Sequence, residues 1–177
     1  VNPATFDGAD WTVIGSLPDG RAGSAAFVDN LALGNCADDT EAGVRFLESP
    51  IITIPAGTEV PRLAFDHWMA SELGWDGGNI KISINGGPWR IVPAFAFEFN
   101  PYNRSLIVSD NPLGGEKAFS GTNGGSVDGN WGQSQINLAG LVNVGDTVQL
   151  RMEFGQDGCN GITGWYVDDV QLYSCSA

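Results

Sequence analysis

The sequence predicts an all-β protein, a two-layer antiparallel β-sandwich of the jelly-roll kind. Three observations carry that expectation. Apolar residues recur with period two in several segments, no stretch holds a helical period, and clusters of Gly, Pro, Asn and Asp separate the segments. Roughly ten strands without helix must bury their apolar faces against one another, which two packed sheets achieve. A propeller would repeat its blades, and the chain has no internal repeat.

Taken in order, Trp11–Ile14 and Ser24–Val28 are weak strand signals, and Val44–Ile54 and Arg62–Ala70 are clear ones. In Asn79–Ile84, Ile80, Ile82 and Ile84 alternate with Lys81 and Ser83, and Asn85-Gly86-Gly87 turns the chain into Trp89–Val92. A long loop, Pro93–Leu113, follows with Phe95, Phe97, Phe99 and Tyr102, read as an aromatic cover for an open end of the sandwich. Lys117–Ser120 and Trp131–Leu138 are weaker strands around the glycine-rich loop GTNGGSVDGN, 121–130. In Thr147–Phe154, Val148, Leu150, Met152 and Phe154 alternate with Thr147, Gln149, Arg151 and Glu153, one dry face and one wet. GWYVDDVQLY, 164–173, is the last strand.

A chain of 177 residues, 42% hydrophobic, suits one domain with a sizeable core, so residues 1–177 are read as a single module. No apolar run approaches the ~20 residues of a membrane span, and no basic-then-apolar leader opens the chain. Val1-Asn2-Pro3 and Ser176-Ala177 look like cut points in a longer protein, with any secretory leader upstream. Eight Lys plus Arg against 21 Asp plus Glu give a net charge of -13, which argues against nucleic acid as a partner. Most of that acid serves solubility, with some left over for cation ligands.

Cys36, Cys159 and Cys175 fit neither a zinc spacing nor a CxxC redox motif. Few lysines and Gly/Asn/Asp-rich loops suggest an oxidising compartment. Cys159 and Cys175 flank one strand and would stand roughly 30 Å apart, too far to bridge. Cys36 is therefore the expected partner of one of them, with Cys159 preferred because both lie in acid-rich loops, and Cys175 then left free or bonded outside the module.

Little points to catalysis. His67 is the only histidine, and on a strand it shares a face with Leu63 and Phe65. There is no GxSxG elbow, no HExxH and no phosphate-cradling glycine loop ahead of a helix. Two acids of a glycosidase can come from anywhere in the chain, so sequence alone does not decide that possibility. Calcium binding has more support, since the ion takes six to eight hard oxygens. Acids stand at candidate places: Asp7 in TFDGADW, Asp38 and Asp39 in CADDTEAG, Asp157 in GQDGCNG, and the pair Asp168-Asp169 in the last strand. Tyr166, Asp168, Val170 and Leu172 are the more apolar face of the last strand, so Asp168 is expected to point inward. A buried carboxylate needs compensation, by a cation, an arginine or loop amides.

The segments DDTEAGVRFLESPIITIP, LAFDHWMASELGWDGGNIKISINGGPW and VQLRMEFGQDGCNGITGWYVDDVQLY together resemble MAM-like jelly-roll modules. The likeness is strongest to bacterial versions attached to secreted metalloproteases of the fungalysin and immune inhibitor A kinds, and it covers about Asp7 to Tyr173. The resemblance implies one cation near the N-terminal strand, held by Asp7 after Phe6, by Asp38 or Asp39 before Thr40, and by Asp168. The four-cysteine pattern of animal MAM domains is missing. Glu72 and Asp76, around LGW, are a possible second acidic site, with anchoring of the turn as the preferred reading. Trp75 and Trp131 are the preferred stacking platforms for a ligand, ahead of Trp89.

The expected function is a non-catalytic substrate-binding or adhesion module of a secreted bacterial hydrolase, stabilised by calcium. Its partners would be a polysaccharide or extracellular protein and the parent protease domain. The alternative is a purely structural accessory domain that supports the parent's stability or secretion.

Overall fold

The computed structural model describes residues 2, 6–34, 36, 37, 41–122 and 129–175, with only the backbone of Cys175. Thirteen strands form among them: β1 Thr12–Ile14, β2 Ala25–Asp29, β3 Gly43–Glu48, β4 Ile52–Thr53, β5 Val60–Ala70, β6 Gly77–Ile84, β7 Arg90–Ile91, β8 Phe97–Phe99, β9 Arg104–Ser105, β10 Lys117–Ala118, β11 Gly132–Asn137, β12 Thr147–Gln156 and β13 Gly164–Cys175. A six-stranded sheet runs β1-β2-β13-β5-β11-β8, and a five-stranded sheet runs β3-β12-β6-β7 with β4 also on β12. All pairings between strands are antiparallel. The sandwich read from the period-two pattern is the observed fold.

The isoleucines of β6 and the alternating apolar set of β12 meet Leu63 and Phe65 of β5, Ile136 of β11, and Trp165 and Val167 of β13 between the sheets. Gly78 sits where a Cβ would lie 2.4 Å from the Trp165 ring, so the second glycine of the Asp76-Gly77-Gly78 run makes room for the fully buried indole.

Three expectations need correction. The strand expected over Val44–Ile54 is two strands on one partner. Pro50 has no N–H to give the ladder, and Ser49 uses its hydroxyl to accept from Leu150 N at 3.0 Å where the chain departs. The long loop Pro93–Leu113 contains a 3₁₀ turn at Ala94–Ala96 and the short strands β8 and β9. Only part of its aromatic set turns inward: Phe97 and Tyr102 pack on the core, whereas Phe95 and Phe99 stay exposed.

The third correction concerns the last strand. Trp165 and Val167 face the core and Tyr166 faces outward, so Asp168 faces outward too. The register then shifts between Asp168 and Gln171, with Asp169 at φ 49°, and this bulge returns Leu172 to the core side. The face expected to hold Tyr166, Asp168, Val170 and Leu172 together is split by it.

Candidate functional site

Asp168 lies on the outer face of the six-stranded sheet. The connection between β1 and β2 folds back over that face, where Phe27, Trp68 and Tyr166 form an apolar patch with Leu17 and Trp131. Trp68 Nε1 donates to Asp19 Oδ2 at 3.0 Å and Trp131 Nε1 to the Pro18 carbonyl at 3.1 Å. Arg21 then meets three acids: Nη1 with Asp66 at 3.0 Å, Nε with Asp168 at 2.9 Å and Nη2 with Asp169 at 2.7 Å. The other Asp168 oxygen accepts from the Asp169 amide at 2.9 Å. Of the compensations open to Asp168, the chain supplies an arginine. Asp7 is exposed, and Asp38 and Asp39 lie outside the described residues. Trp131 is half-buried with Arg21 stacked 4.3 Å from its centroid, so it does not offer a bare ring face on that side.

Glu72 and Asp76 bracket a tight turn, and the amides of Trp75 and Asp76 both donate to the Glu72 carbonyl, at 3.2 and 3.0 Å. The Glu72 backbone thus closes the turn, and the Asp76 side chain reaches beyond it. The buried Asp76 carboxylate accepts from Asn30 Nδ2 and from the Asp157 amide, each at 2.8 Å. Burial, with Asp157 and Glu72 nearby, pushes its pKa up to about 7. Glu72 Oε1 accepts from Asn160 at 3.2 Å, while its Oε2 is buried without a partner among the described residues. Oxygens of Glu72 and Asp157 lie within 4.8 Å of each other and of the Cys159 sulfur. That sulfur is bridged to Cys36, with the Cα atoms 4.5 Å apart, which leaves the carboxylates as the hard donors. Asp157 was visible in the sequence only as one loop acid among several. Its neighbour Cys159, pinned by the disulfide, is the signal that fixes its position.

The same turn carries an apolar tip. Leu73, Trp75, Ile107 and Val108 are all exposed, Val108 at 83% and Trp75 at 38%. Their backbones are tied together: Ile107 N donates to Gly74 O at 2.8 Å, and Asn111 Nδ2 donates to Trp75 O at 2.6 Å. Trp89, by contrast, is half-buried on the outer face of the five-stranded sheet. Arg151 stacks 4.0 Å from its ring and is held there by Glu48 and Glu153.

His67 is buried beside Phe65, Phe119 and Trp165. Burial drives its pKa down to about 4, so the ring is neutral at physiological pH. Both nitrogens are engaged: Nδ1 accepts from Trp165 Nε1 at 3.3 Å, and Nε2 meets Ser134 Oγ at 3.0 Å. Such a ring is a core histidine, as its sequence position suggested.

No family model matches the chain. Over 121 residues it is 31% identical to a pre-pro-metalloprotease, PrtV, from two strains of Vibrio cholerae serotype O1 (M66-2 and ATCC 39315 / El Tor Inaba N16961). The match takes in 68% of this chain and spans only 11% of the relative's length. Among solved structures, a carbohydrate-binding module specific for non-crystalline cellulose superposes with a TM-score of 0.47 and 14% identity, over 99% of this chain and 86% of that one. The chain is thus a β-sandwich whose sequence is similar to a short stretch of a metalloprotease precursor.

Proposed function

We propose that this chain is a non-catalytic, MAM-like binding module of a secreted bacterial hydrolase, and that it adheres to an extracellular protein through the tip built from Leu73, Trp75, Ile107 and Val108. The observation that carries this reading is that tip: apolar side chains held out to solvent on backbone that is locked by hydrogen bonds. Exposed apolar clusters on preorganised loops mark interaction surfaces. Three of the four residues are aliphatic, and a protein partner suits them better than a sugar ring, which needs polar groups around an aromatic platform. The similarity to part of a metalloprotease precursor supports a protease as the parent. The engaged, neutral His67 supports a role without turnover.

Calcium belongs to the same reading, as a structural clamp. The residues that would hold it are Glu72 and Asp157, because Glu72 Oε2 is a buried carboxylate oxygen with no partner among the described residues and Asp157 stands within reach of the same ion. The ion would supply charge compensation and a link between the β5–β6 turn and the end of β12. The expected set around Asp168 is less suited, since both of that residue's oxygens are already engaged.

The test is co-sedimentation of the intact chain with fibrous collagen-like protein and with insoluble polysaccharides, in millimolar calcium and in EDTA. Wild type should pellet with the protein fibres, and Trp75→Ala with Val108→Asp should weaken that binding at least tenfold without lowering the melting temperature. Equal retention of wild type and variant, or retention on polysaccharide alone, would overturn the assignment. Hydrolysis of either polymer by the pure chain would overturn the non-catalytic reading.

A further inference from the structure

A separate cavity of about 260 Å³ opens beside His67, lined by His67, Met69, Asn100, Phe119, Thr122 and Asn130 among others. Among the described residues that line it there is no Asp, Glu, Lys or Arg, in a chain that carries 21 acids. The volume is near the lower end for small-molecule sites, room for one sugar ring. The lining combines apolar Met69, Pro101 and Phe119 with the amide and hydroxyl groups of Asn100, Asn103, Thr122 and Asn130.

The orientation of one wall group follows from hydrogen bonding. An indole N–H can only donate, so His67 Nδ1, which faces Trp165 Nε1, carries no proton. The neutral ring then has its hydrogen on Nε2. Ser134 gives its own proton to the Asn100 carbonyl at 2.8 Å, and its oxygen accepts from Nε2–H. Asn100 Nδ2 as placed stands 3.2 Å from Nε2, and two donors do not share such a gap, so the amide is assigned the opposite way round, with its oxygen on His67 and its NH₂ turned away. The Asn100 backbone, at φ 47°, lies in a left-handed region that Asn and Asp tolerate.

We propose that this cavity binds a single neutral pyranose, with the Asn100 NH₂ donating to a ring hydroxyl and His67 acting as the positioning residue that fixes the sense of that amide. The sugar's C–H face would rest on Phe119 and Met69, and Thr122 and Asn130 would exchange hydrogen bonds with the remaining hydroxyls. An anionic ligand finds no cation in the lining. Leu73, Trp75, Ile107 and Val108 are not among the residues that line it.

The probes are the methyl glycosides of glucose, galactose, mannose and N-acetylglucosamine, with galacturonate as a charged comparator, titrated into the intact chain by calorimetry and saturation-transfer NMR. At least one neutral glycoside should bind saturably, with a Kd on the order of 1 mM, and galacturonate should not. Asn100→Asp keeps the oxygen on His67 and suits the backbone while deleting the NH₂, so affinity should fall at least tenfold. Should that variant melt early, Thr122→Val, at the half-buried rim, should lower affinity by about threefold. Imidazole nitrogen shifts should report the Nε2–H form of His67, and contacts from the Asn100 NH₂ should run to the bound sugar. Trp75→Ala should leave sugar affinity unchanged. No saturable binding by any of the four glycosides, undiminished binding by both variants, or an Nδ1–H ring would overturn the proposal.

Discussion

Two acidic knots in this molecule are stabilised in opposite ways. On the outer face of the six-stranded sheet, Asp66, Asp168 and Asp169 gather around one guanidinium, partly open to water. At the end of the sandwich, Glu72, Asp76 and Asp157 gather with no lysine or arginine pairing with them among the described residues, and two of the three are buried. The first knot carries its own countercharge. The second relies on amides, on a retained proton at Asp76 and, in the reading proposed above, on a divalent cation. The same chemical group therefore marks a closed structural link in one place and an open demand for positive charge in the other. Counting carboxylates does not separate the two; tracing the partner of each oxygen does.

The largest expected effect breaks the second knot by pH. The Asp76 carboxyl titrates near 3.8 in the unfolded chain and near 7 when folded. Between those values the folded chain keeps a proton that the unfolded chain has lost, so stability falls as pH rises from about 4 to about 7 and then levels. In EDTA this contribution should be on the order of 4 kcal/mol, read from denaturation midpoints across that range. Asp76→Asn should remove that slope. His67 works against it, because its pKa is lowered from 6.5 to about 4 and its stabilisation, complete above 6.5, is lost as pH falls toward 4. The wild-type profile should therefore be flatter than that of a variant lacking either group.

The next effect contrasts the knots through calcium. At free calcium a hundred times Kd, the folded state gains ~2.7 kcal/mol, a rise in melting temperature of roughly 5–10 °C. Glu72→Gln should erase that rise. Asp168→Asn should keep it, because that carboxylate already belongs to Arg21. Identical melts of wild type with and without calcium would remove the cation from the second knot. The smallest effect targets the first knot. Arg21→Met retains a side chain over Trp131 but drops the charge, and should cost about 1–2 kcal/mol. The deficit should shrink in high salt, which chemical denaturation at two salt concentrations would reveal.

Much of this was legible in the sequence. The alternation of Ile80, Ile82 and Ile84, and of Val148, Leu150, Met152 and Phe154, is a local property, and it led directly to the two sheets. Excluding a bridge across the last strand left Cys36 as the partner of Cys159 or Cys175, and the acid-rich loops around Cys36 and Cys159 favoured the disulfide observed. The facing of Asp168 was misjudged because a single left-handed residue, Asp169, breaks the parity on which the reading depended. Trp131 gave no sign of its cover, since Arg21 comes from a connection 110 residues earlier. Glu72 and Asp76 were recognisable as two acids flanking one turn. Their union with Asp157, 81 residues beyond Asp76, exists only in the folded chain.

Asn2 carries a consequence for how these molecules meet one another. β3 is the edge of the five-stranded sheet, and an uncovered edge is a template on which a second chain can grow. The Asn2 side chain donates to the Val44 carbonyl and accepts from the Val44 amide, both at 2.8 Å, copying with one side-chain amide the pair of bonds a neighbouring strand would make. The Phe6 ring covers Gly43 beside it, within 2.6 Å of where a Cβ would stand. A side chain satisfies that rung but offers no next rung, so edge-to-edge stacking of copies meets a polar stop at Val44. Resistance to aggregation at this edge thus rests on a residue outside every strand.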